Sequence, residues 1–261
     1  MENSQLRIER AKKHLEEIDL LISNSNPFHY IVETDTSTGE RATFSRENKN
    51  VIDQIKIISG DVIHNLRTAI DNAYWDIVSK YVNDKNQERN IQFPFCEKQE
   101  NLADLIKRRQ ADKVGKKFVS EITAMKPYKI NGNKLFTLIH ELDISDKHKF
   151  PTPVGDFTKV NAELIRSQVP DFPNITGEMG FGGNRRDVGW RTNPSLLRLM
   201  ELGKIIPPTT CKFERLINVP VSVVFSIGEY MFDGEVLKML TAMVELTEEI
   251  VSNLYKAASQ T

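Results

Sequence analysis

Two short polar runs interrupt otherwise apolar helical sequence, and both contain residue types that carry out acid–base chemistry. The first run, residues 60–71, holds two aspartates, a histidine and an arginine at spacings of three and four residues: Asp61, His64, Arg67 and Asp71. Such spacings let side chains pair along a helix. A carboxylate beside an imidazole favours its protonated form, and a guanidinium is a planar fork that matches a phosphate or a carboxylate. The first run therefore predicts a site for a phosphate-bearing ligand.

The second run, residues 146–149, lies at a predicted junction between a helix and an extended segment, where side chains can point into a cleft. It supplies a carboxylate, two cations and a histidine: Asp146, Lys147, His148 and Lys149. The same residues also have a purely structural interpretation, because a lysine near the C-terminal end of a helix interacts favourably with the helix dipole. The catalytic interpretation requires the two runs to meet in space.

If the two runs meet, they hold the groups that phosphodiester cleavage needs. One histidine would take a proton from a ribose hydroxyl, the other would protonate the leaving oxygen, and Arg67 with Lys147 would stabilise the charged phosphorane. We therefore predict catalytic roles for His64, Arg67, Asp71, Lys147 and His148. Ligand-binding roles are predicted for Asp61, Asn65, Asp146 and Lys149. The predicted ligand is RNA or another phosphate-bearing molecule.

A second interpretation gives the same polar residues a structural role. A buried polar network that joins a helical bundle to a β-rich region would make these residues matter for stability instead of turnover. The protein would then be a non-enzymatic binding or assembly module. If the protein is an assembly module, the predicted assembly is a homodimer formed through the long helices.

Three other groups of residues are weaker candidates for chemistry. Imidazole and carboxylate groups could make a metal-dependent hydrolase, but no His-x-x-x-His or His-Glu-x-x-His spacing occurs, so we predict no metal and no cofactor. The residues considered for that role are His64, His140, Asp146 and His148. The glycine-rich residues 177–183 lack the Gly-Lys-Ser/Thr ending of a phosphate-binding loop. The densest basic segment is either a contact for nucleic-acid backbone or a solvated face: Lys107, Arg108, Arg109, Lys113, Lys116 and Lys117.

The overall composition argues against several classes of function. Lys and Arg number 35 against 36 Asp and Glu, so the chain has no net positive field that would attract nucleic acid from a distance. The two cysteines have no Cys-x-x-Cys spacing, which argues against a disulfide framework and a structural zinc site. The polar N-terminus and the lack of an apolar run of roughly 20 residues predict a cytoplasmic protein without a membrane partner.

Apolar periodicity predicts an α+β fold for the elements that carry these residues. Helical spacing predicts helices at 3–24, 46–82, 99–110, 113–125 and 234–258. A further helix is predicted to begin near residue 131 and to end before the prolines at 151 and 153. Alternating and β-prone runs predict a hairpin at 28–45 and strands at 158–160, 164–169 and within 211–224. The predicted architecture is a helical bundle with a long central helix, an N-terminal β-hairpin and a β-rich insertion before the C-terminal helix. Residues 1–149 would form the bundle with its hairpin, 150–233 the insertion, and 234–261 the returning helix of one composite domain.

The long predicted helix has an apolar face and a polar face. The apolar face carries Ile55, Val62, Leu66, Ala69, Ala73 and Ile77, and the polar residues of the first run lie opposite. Ile57 and Trp75 share the azimuth of His64, so a wholly solvated polar face would expose both of them. We therefore predict that another element covers part of this face. A partly buried cluster of His, Arg and Asp is a better candidate site than a fully solvated one.

The two runs, with two proline motifs between them, resemble a family of bacterial and phage-associated hypothetical proteins. The matching segments are Gly60-Asp61, His64-Asn65-Leu66-Arg67, Ala69-Ile70-Asp71, Phe93-Pro94-Phe95, Lys126-Pro127-Tyr128 and Asp146-Lys147-His148-Lys149. The resemblance covers roughly residues 50–150, and the combination of segments is more specific than any one of them. That family has no assigned activity, so the resemblance implies a relative without implying a function.

A looser resemblance is to the HEPN helical-bundle superfamily, many of whose members are metal-independent ribonucleases of defence and toxin systems. Their sites pair an arginine with a histidine a few residues further along the chain. This sequence departs from that pattern, because no basic residue stands at the required distance before His148, and the formal match of Arg7 with His14 lies on the charged first helix. The resemblance implies that His64, Arg67 and His148 assemble an equivalent site from two helices.

Overall fold

The computed structural model of the chain describes residues 1–144, 152–156, 160–179, 188–201, 212–219, 221–227 and 230–260. The chain divides into two units. Unit 1 contains Met1–Leu20, Gln54–Pro151 and Val236–Thr261, and unit 2 contains Leu21–Asp53 and Thr152–Glu235. The fold is α+β, which confirms the predicted fold class, with a long helix and a four-stranded antiparallel sheet.

Unit 1 is mainly helical in its described part. Its helices are α1 (Glu2–Ser25), α2 (Lys49–Val78), α3 (Lys85–Glu88), α4 (Leu102–Arg108), α5 (Lys116–Ala124), α6 (Lys134–Ile144) and α9 (Val236–Ala258). Residues 21–25 of α1 and 49–53 of α2 belong to unit 2. Short 3-10 turns occupy Ser79–Tyr81, Gln99–Asn101 and Ala111–Lys113.

The core of unit 1 follows from the helical period of its apolar residues. The predicted apolar face of α2 is no more than 2% exposed at any of its positions: Ile55, Val62, Leu66, Ala69, Ala73 and Ile77. In α9 a buried residue recurs every three or four positions, and α9 packs against α5 and α6. Burying one such large aliphatic side chain contributes about 1.5–3 kcal/mol. None of the described helices combines the length and the apolar character that a membrane-spanning helix needs.

Unit 2 contains the strands. They are β1 (Phe28–Asp35), β2 (Glu40–Glu47), β3 (Thr152–Asp156), β4 (Val160–Asn161), β5 (Glu178–Met179), β6 (Val188–Arg191), β7 (Lys212–Ile217), β8 (Ser222–Ile227) and β9 (Tyr230–Glu235), with helices α7 (Ala162–Gln168) and α8 (Pro194–Glu201). The largest sheet has the antiparallel order β6-β2-β1-β7, and the smaller sheets are β3-β8-β9 and β4-β5.

The predicted hairpin is present as β1 and β2. Asp35 Oδ1 accepts the backbone N–H of Ser37 at 2.9 Å and of Thr38 at 3.2 Å, which closes the turn. Gly39 follows with a φ of 76°, a conformation that favours glycine. On its other edge β1 pairs with β7, which lies in the predicted insertion, so the hairpin belongs to the same sheet as a strand far along the chain.

One segment predicted as β-prone is helical instead. Residues 164–169 fall mostly within α7. Asn161 caps this helix, because its Oδ1 accepts the backbone N–H groups of Glu163 at 2.7 Å and Leu164 at 3.2 Å. Ile165 and Val169 are buried, as a helical spacing of four residues allows. The cap and this burial outweigh the β-propensity of the segment.

Candidate functional site

The first polar run lies on α2, and the connector 91–98 and helix α6 contact it within unit 1. Asp71 Oδ1 accepts the backbone N–H of Phe93 at 3.0 Å, which fixes the connector to α2. The connector also pairs with the segment before α6, where the Cys96 N–H donates to Pro127 O and the Lys129 N–H donates to Cys96 O, both at 3.1 Å. These bonds hold the connector between α2 and the start of α6.

Arg67 is the centre of a polar cluster and is only 7% exposed. Its Nε donates to Nδ1 of His140 on α6 at 3.2 Å, and its Nη1 forms an ion pair with Asp71 Oδ2 at 2.5 Å. Its Cζ lies over the Phe95 ring, 4.8 Å from the centroid. A buried guanidinium needs such partners because removing it from water is costly. We name these four residues, Arg67, Asp71, Phe95 and His140, the Arg67 cluster.

Arg67 and His140 pack on the same face of the Phe95 ring. The His140 ring is stacked on Phe95 with centroids 4.3 Å apart and an interplanar angle of 8°. Groups on opposite faces of a ring are separated by about 7 Å, twice a van der Waals contact. The 3.2 Å hydrogen bond between Arg67 and His140 excludes that separation. Phe93 and Phe136, with centroids 4.9 and 4.7 Å from that of Phe95, hold the ring in place.

His140 is a neutral hydrogen-bond acceptor in the cluster. Burial first, and then the charge of Arg67, lower the pKa of His140 to about 4, while the charge of Asp71 acts in the opposite direction. Because Nδ1 accepts the bond from Arg67, the ring proton is on Nε2. His140 is therefore a hydrogen-bond donor through Nε2 and a poor general acid at neutral pH.

A cleft of about 440 Å³ opens beside the cluster. Its lining includes Phe95, Cys96, Lys129, His140, Glu141 and Ile144. Lys129 and Glu141 form an ion pair at 3.2 Å on this surface. Arg67 and Asp71 are not among the lining residues, so only Phe95 and His140 connect the Arg67 cluster to the cleft.

His64 lies one helical turn before Arg67 and faces solvent. Its side chain is 64% exposed, and its Nδ1 is 2.9 Å from Oδ1 of Asp143 on α6. When Nδ1 carries the proton toward this carboxylate, Nε2 presents its lone pair to solvent. An imidazole oriented by a carboxylate is a typical general base.

The prediction that another element covers part of the polar face of α2 is correct for the middle of that face. Helix α6 and the connector contact His64, Arg67 and Asp71, whereas Ile57 and Trp75, from which the cover was inferred, are 66% and 47% exposed. The reason is length. Helix α6 has 11 residues and spans about 16 Å, whereas Ile57 and Trp75 are about 27 Å apart along α2.

The other residues of the predicted site have separate surroundings. Asn65 is 6% exposed, its Nδ2 donates to the backbone oxygen of Asp61 at 2.7 Å, and its Oδ1 accepts from Arg7 Nη1 at 3.2 Å. Asn65 therefore ties α2 to α1. The Asp61 side chain is exposed. The second polar run lies outside the described residues: Asp146, Lys147, His148 and Lys149.

Sequence reasoning missed three residues that make the contacts at this site: Phe95, His140 and Asp143. It considered His140 only as a metal ligand. A signal was present, since His140 and Asp143 are three residues apart and so share a face of α6. The sequence around α6 does not show that this face packs against α2.

Neither metal geometry nor known relatives assign this site. Within the described ranges, no group of three or more His, Cys, Asp or Glu side chains is arranged to hold a metal ion. The Nδ1 of His140 is already bonded to Arg67. The chain matches no protein-family model, no curated protein and no solved structure. The site is therefore interpreted from its own contacts.

The neutral state of His140 makes stability depend on pH. We expect the free energy of unfolding to fall as the pH decreases from about 6.5 to about 4, because the unfolded chain binds a proton on this histidine near pH 6.5 and the folded chain does so only near pH 4. Above pH 6.5 the imidazole is neutral in both states and has no effect. Denaturant titrations across this range, on wild type and His140→Asn, measure the difference. Parallel pH profiles for the two proteins would contradict the expectation.

Proposed function

We propose that the chain is a non-enzymatic binding module and that the Arg67 cluster is a structural polar network. The observation that carries this proposal is the internal use of Arg67: Nε bonds to His140, Nη1 pairs with Asp71, and the guanidinium packs on Phe95. An arginine that stabilises a phosphoryl-transfer transition state must direct its N–H groups at the ligand. Arg67 donates Nε to His140 and holds Nη1 in an ion pair with Asp71 that does not have hydrogen-bond geometry.

Asp71 supports the same interpretation. One of its oxygens accepts the Phe93 N–H and the other pairs with Arg67, so both contact protein groups. The combined effect of these bonds is to hold Phe95 in the wall of the cleft beside His140. A network of this kind matters for stability and for the shape of a binding surface.

The cleft beside His140 is the binding surface that we propose for this module. The Nε2–H of His140 is a neutral donor, and Phe95 and Ile144 offer apolar surface. The charged lining residues are one cation, Lys129, and two carboxylates, Glu97 and Glu141. A ligand of suitable chemistry is a small molecule with an apolar part and a hydrogen-bond acceptor for His140.

A second candidate function is a metal-independent ribonuclease, and the exposed His64–Asp143 pair favours it. In that function His64 Nε2 would take the proton from a ribose hydroxyl. The other histidine of the predicted pair, His148, would then protonate the leaving oxygen. This candidate needs neither Arg67 nor Asp71 to leave its internal partners.

Replacing His64 with alanine distinguishes the two functions. For a binding module we expect wild type and His64→Ala to leave a labelled single-stranded RNA intact, with and without EDTA. We also expect nearly equal unfolding free energies, because an exposed ion pair contributes at most about 1 kcal/mol. Cleavage is measured by gel electrophoresis of the RNA, and stability by denaturant titration.

His29→Ala is the matched control, since His29 lies on β1 in unit 2. Cleavage by wild type and by His29→Ala that is lost in a folded His64→Ala protein would overturn the binding module in favour of the ribonuclease. Cleavage that EDTA abolishes would instead indicate metal-dependent hydrolysis. Either result also requires a different role for the cleft beside His140.

A further inference from the structure

A second cleft in unit 1, of about 410 Å³, has a cationic lining. It is lined by Gln87, Asn90, Leu105, Arg108, Arg109 and Gln110. No carboxylate side chain is among these residues, and the amides and guanidinium groups supply hydrogen-bond donors. This cleft shares no lining residue with the cleft beside His140.

The backbone around this cleft is held by buried contacts. Tyr74 of α2, which is fully buried, donates its hydroxyl to the Arg109 backbone oxygen at 2.8 Å. Arg109 Nη1 donates to Asn90 O at 3.3 Å, and Gln110 adopts a left-handed φ of 66° that ends the α4 segment. Arg108 and Arg109 are thus presented from a fixed turn and not from a loose terminus.

Basic side chains continue from the cleft along the chain into α5. Residues 104–117 contain six basic residues and two acidic residues, Asp104 and Asp112, in a protein whose net charge is −1. The six are Lys107, Arg108, Arg109, Lys113, Lys116 and Lys117. Five of them are exposed, and Arg109 is partly buried.

None of these six cations forms an ion pair within the described part of the chain, although Asp104 and Asp112 lie in the same segment. Lys113 Nζ bonds to a neutral partner, Gln87 Oε1, at 2.8 Å. Lys116 and Lys117 stand in the first turn of α5, where a positive charge opposes the helix dipole. Lys107 and Arg108, in the last turn of α4, complement the dipole of that helix, and Arg109 bonds to the Asn90 backbone. The surplus of positive charge on this surface nevertheless favours an anionic ligand.

We propose that this basic cleft and the lysines that follow it bind the phosphate backbone of a nucleic acid. Guanidinium groups bind phosphate oxygens in a bidentate manner, which suits Arg108 and Arg109 at the cleft. The flanking lysines extend the positive surface beyond the size of one phosphate group, as a polyanion requires. The contact is to the backbone and therefore does not depend on base sequence. It goes beyond the proposed function and stands whether or not His64 has a catalytic role.

The test is the binding of a short fluorescein-labelled single-stranded RNA, measured by anisotropy over a series of salt concentrations. We expect the affinity of wild type to fall steeply with salt, with a logarithmic slope of about −0.7 per phosphate contacted. Arg108→Glu and Lys107→Glu are each expected to weaken binding about tenfold and to reduce the slope by about 0.7, the contribution of one phosphate contact. Both side chains are exposed, and equal thermal midpoints establish that the variants fold.

Arg10→Glu is the matched control, because Arg10 is an exposed arginine on α1 that does not line the cleft. We expect it to change the affinity by less than about threefold, because it is a solvent-screened charge outside the lining of the cleft. Equal losses for Arg10→Glu and Arg108→Glu would overturn the site, as would wild-type binding that is absent or insensitive to salt. Labelled single-stranded DNA should bind in the same way. If poly-glutamate displaces the labelled RNA as effectively as unlabelled RNA does, the cleft binds acidic peptides and the proposal is overturned. A failure of this binding test would not decide the His64 experiment, because the two experiments measure RNA binding and RNA cleavage separately.

Discussion

Replacing Arg67 with methionine is expected to lower the free energy of unfolding by about 3 kcal/mol, the low end of the cost of breaking a buried ion pair. Methionine keeps much of the side-chain volume but leaves Asp71 without its cation and His140 Nδ1 without its donor. The value is at the low end because the Asp71 side chain retains 34% exposure and some hydration. Urea denaturation at pH 7 measures the change.

Arg67→Lys and Arg46→Met are the controls for this result. Lysine retains the charge, but its ammonium group lacks the planar fork that bonds to both Asp71 and His140 while it packs on Phe95. We therefore expect Arg67→Lys to lower the free energy of unfolding by more than half as much as Arg67→Met does. Arg46 is a 53% exposed member of a surface ion pair, and its replacement should cost no more than about 1 kcal/mol. A loss of less than 1 kcal/mol in both Arg67 variants would contradict a structural role for the cluster.

Gly132→Ala is expected to destabilise unit 1 by about 3 kcal/mol or more, the upper range for overpacking. A Cβ at this position would lie 1.7 Å from the backbone oxygen of Tyr128 and 2.7 Å from that of Lys126. Backbone atoms cannot yield as a flexible side chain can. The turn would have to open, which would disturb the pairing of Tyr128 with Cys96 and the start of α6 that positions His140.

Gly60→Ala is the matched comparison, because nothing lies within 4 Å of a Cβ at position 60. Gly60 is inside α2, where alanine is favoured over glycine by about 0.5–1 kcal/mol, so this variant should be stabilised. Thermal and denaturant unfolding of the two variants measure effects of opposite sign. Equal stability of Gly132→Ala and wild type would show that the turn at 126–133 is not required for packing.

The fold was predictable from the sequence where the determinants are local. The helical stripe from Ile55 to Ile77 and the turn around Gly39 identified α2 and the hairpin, because period and turn chemistry are encoded in adjacent residues. The pairing of β1 with β7 was not predictable, since strands far apart in sequence carry no local record of their partner. Helix α7 was missed because the Asn161 cap and the burial of Ile165 and Val169 together outweigh β-propensity.

The candidate site was predictable only within α2. The i,i+4 spacing of Arg67 and Asp71 gave the ion pair, as helix geometry requires. The contact of Arg67 with His140 depends on how α6 packs against α2 across 73 residues of sequence, and spacing along one helix cannot show this. His64 and Arg67 also differ in burial although they share a face, because the short α6 and the connector cover only part of it.

The most direct test of the central claim is a double-mutant cycle of unfolding free energies for Arg67→Met and Asp71→Asn. If the two residues belong to one structural network, the double variant should be more stable than the sum of the single effects allows, by about 1.5 kcal/mol or more. Additive effects within about 0.5 kcal/mol, from single variants that each lose less than 1 kcal/mol, would contradict the account and leave Arg67 available for a ligand.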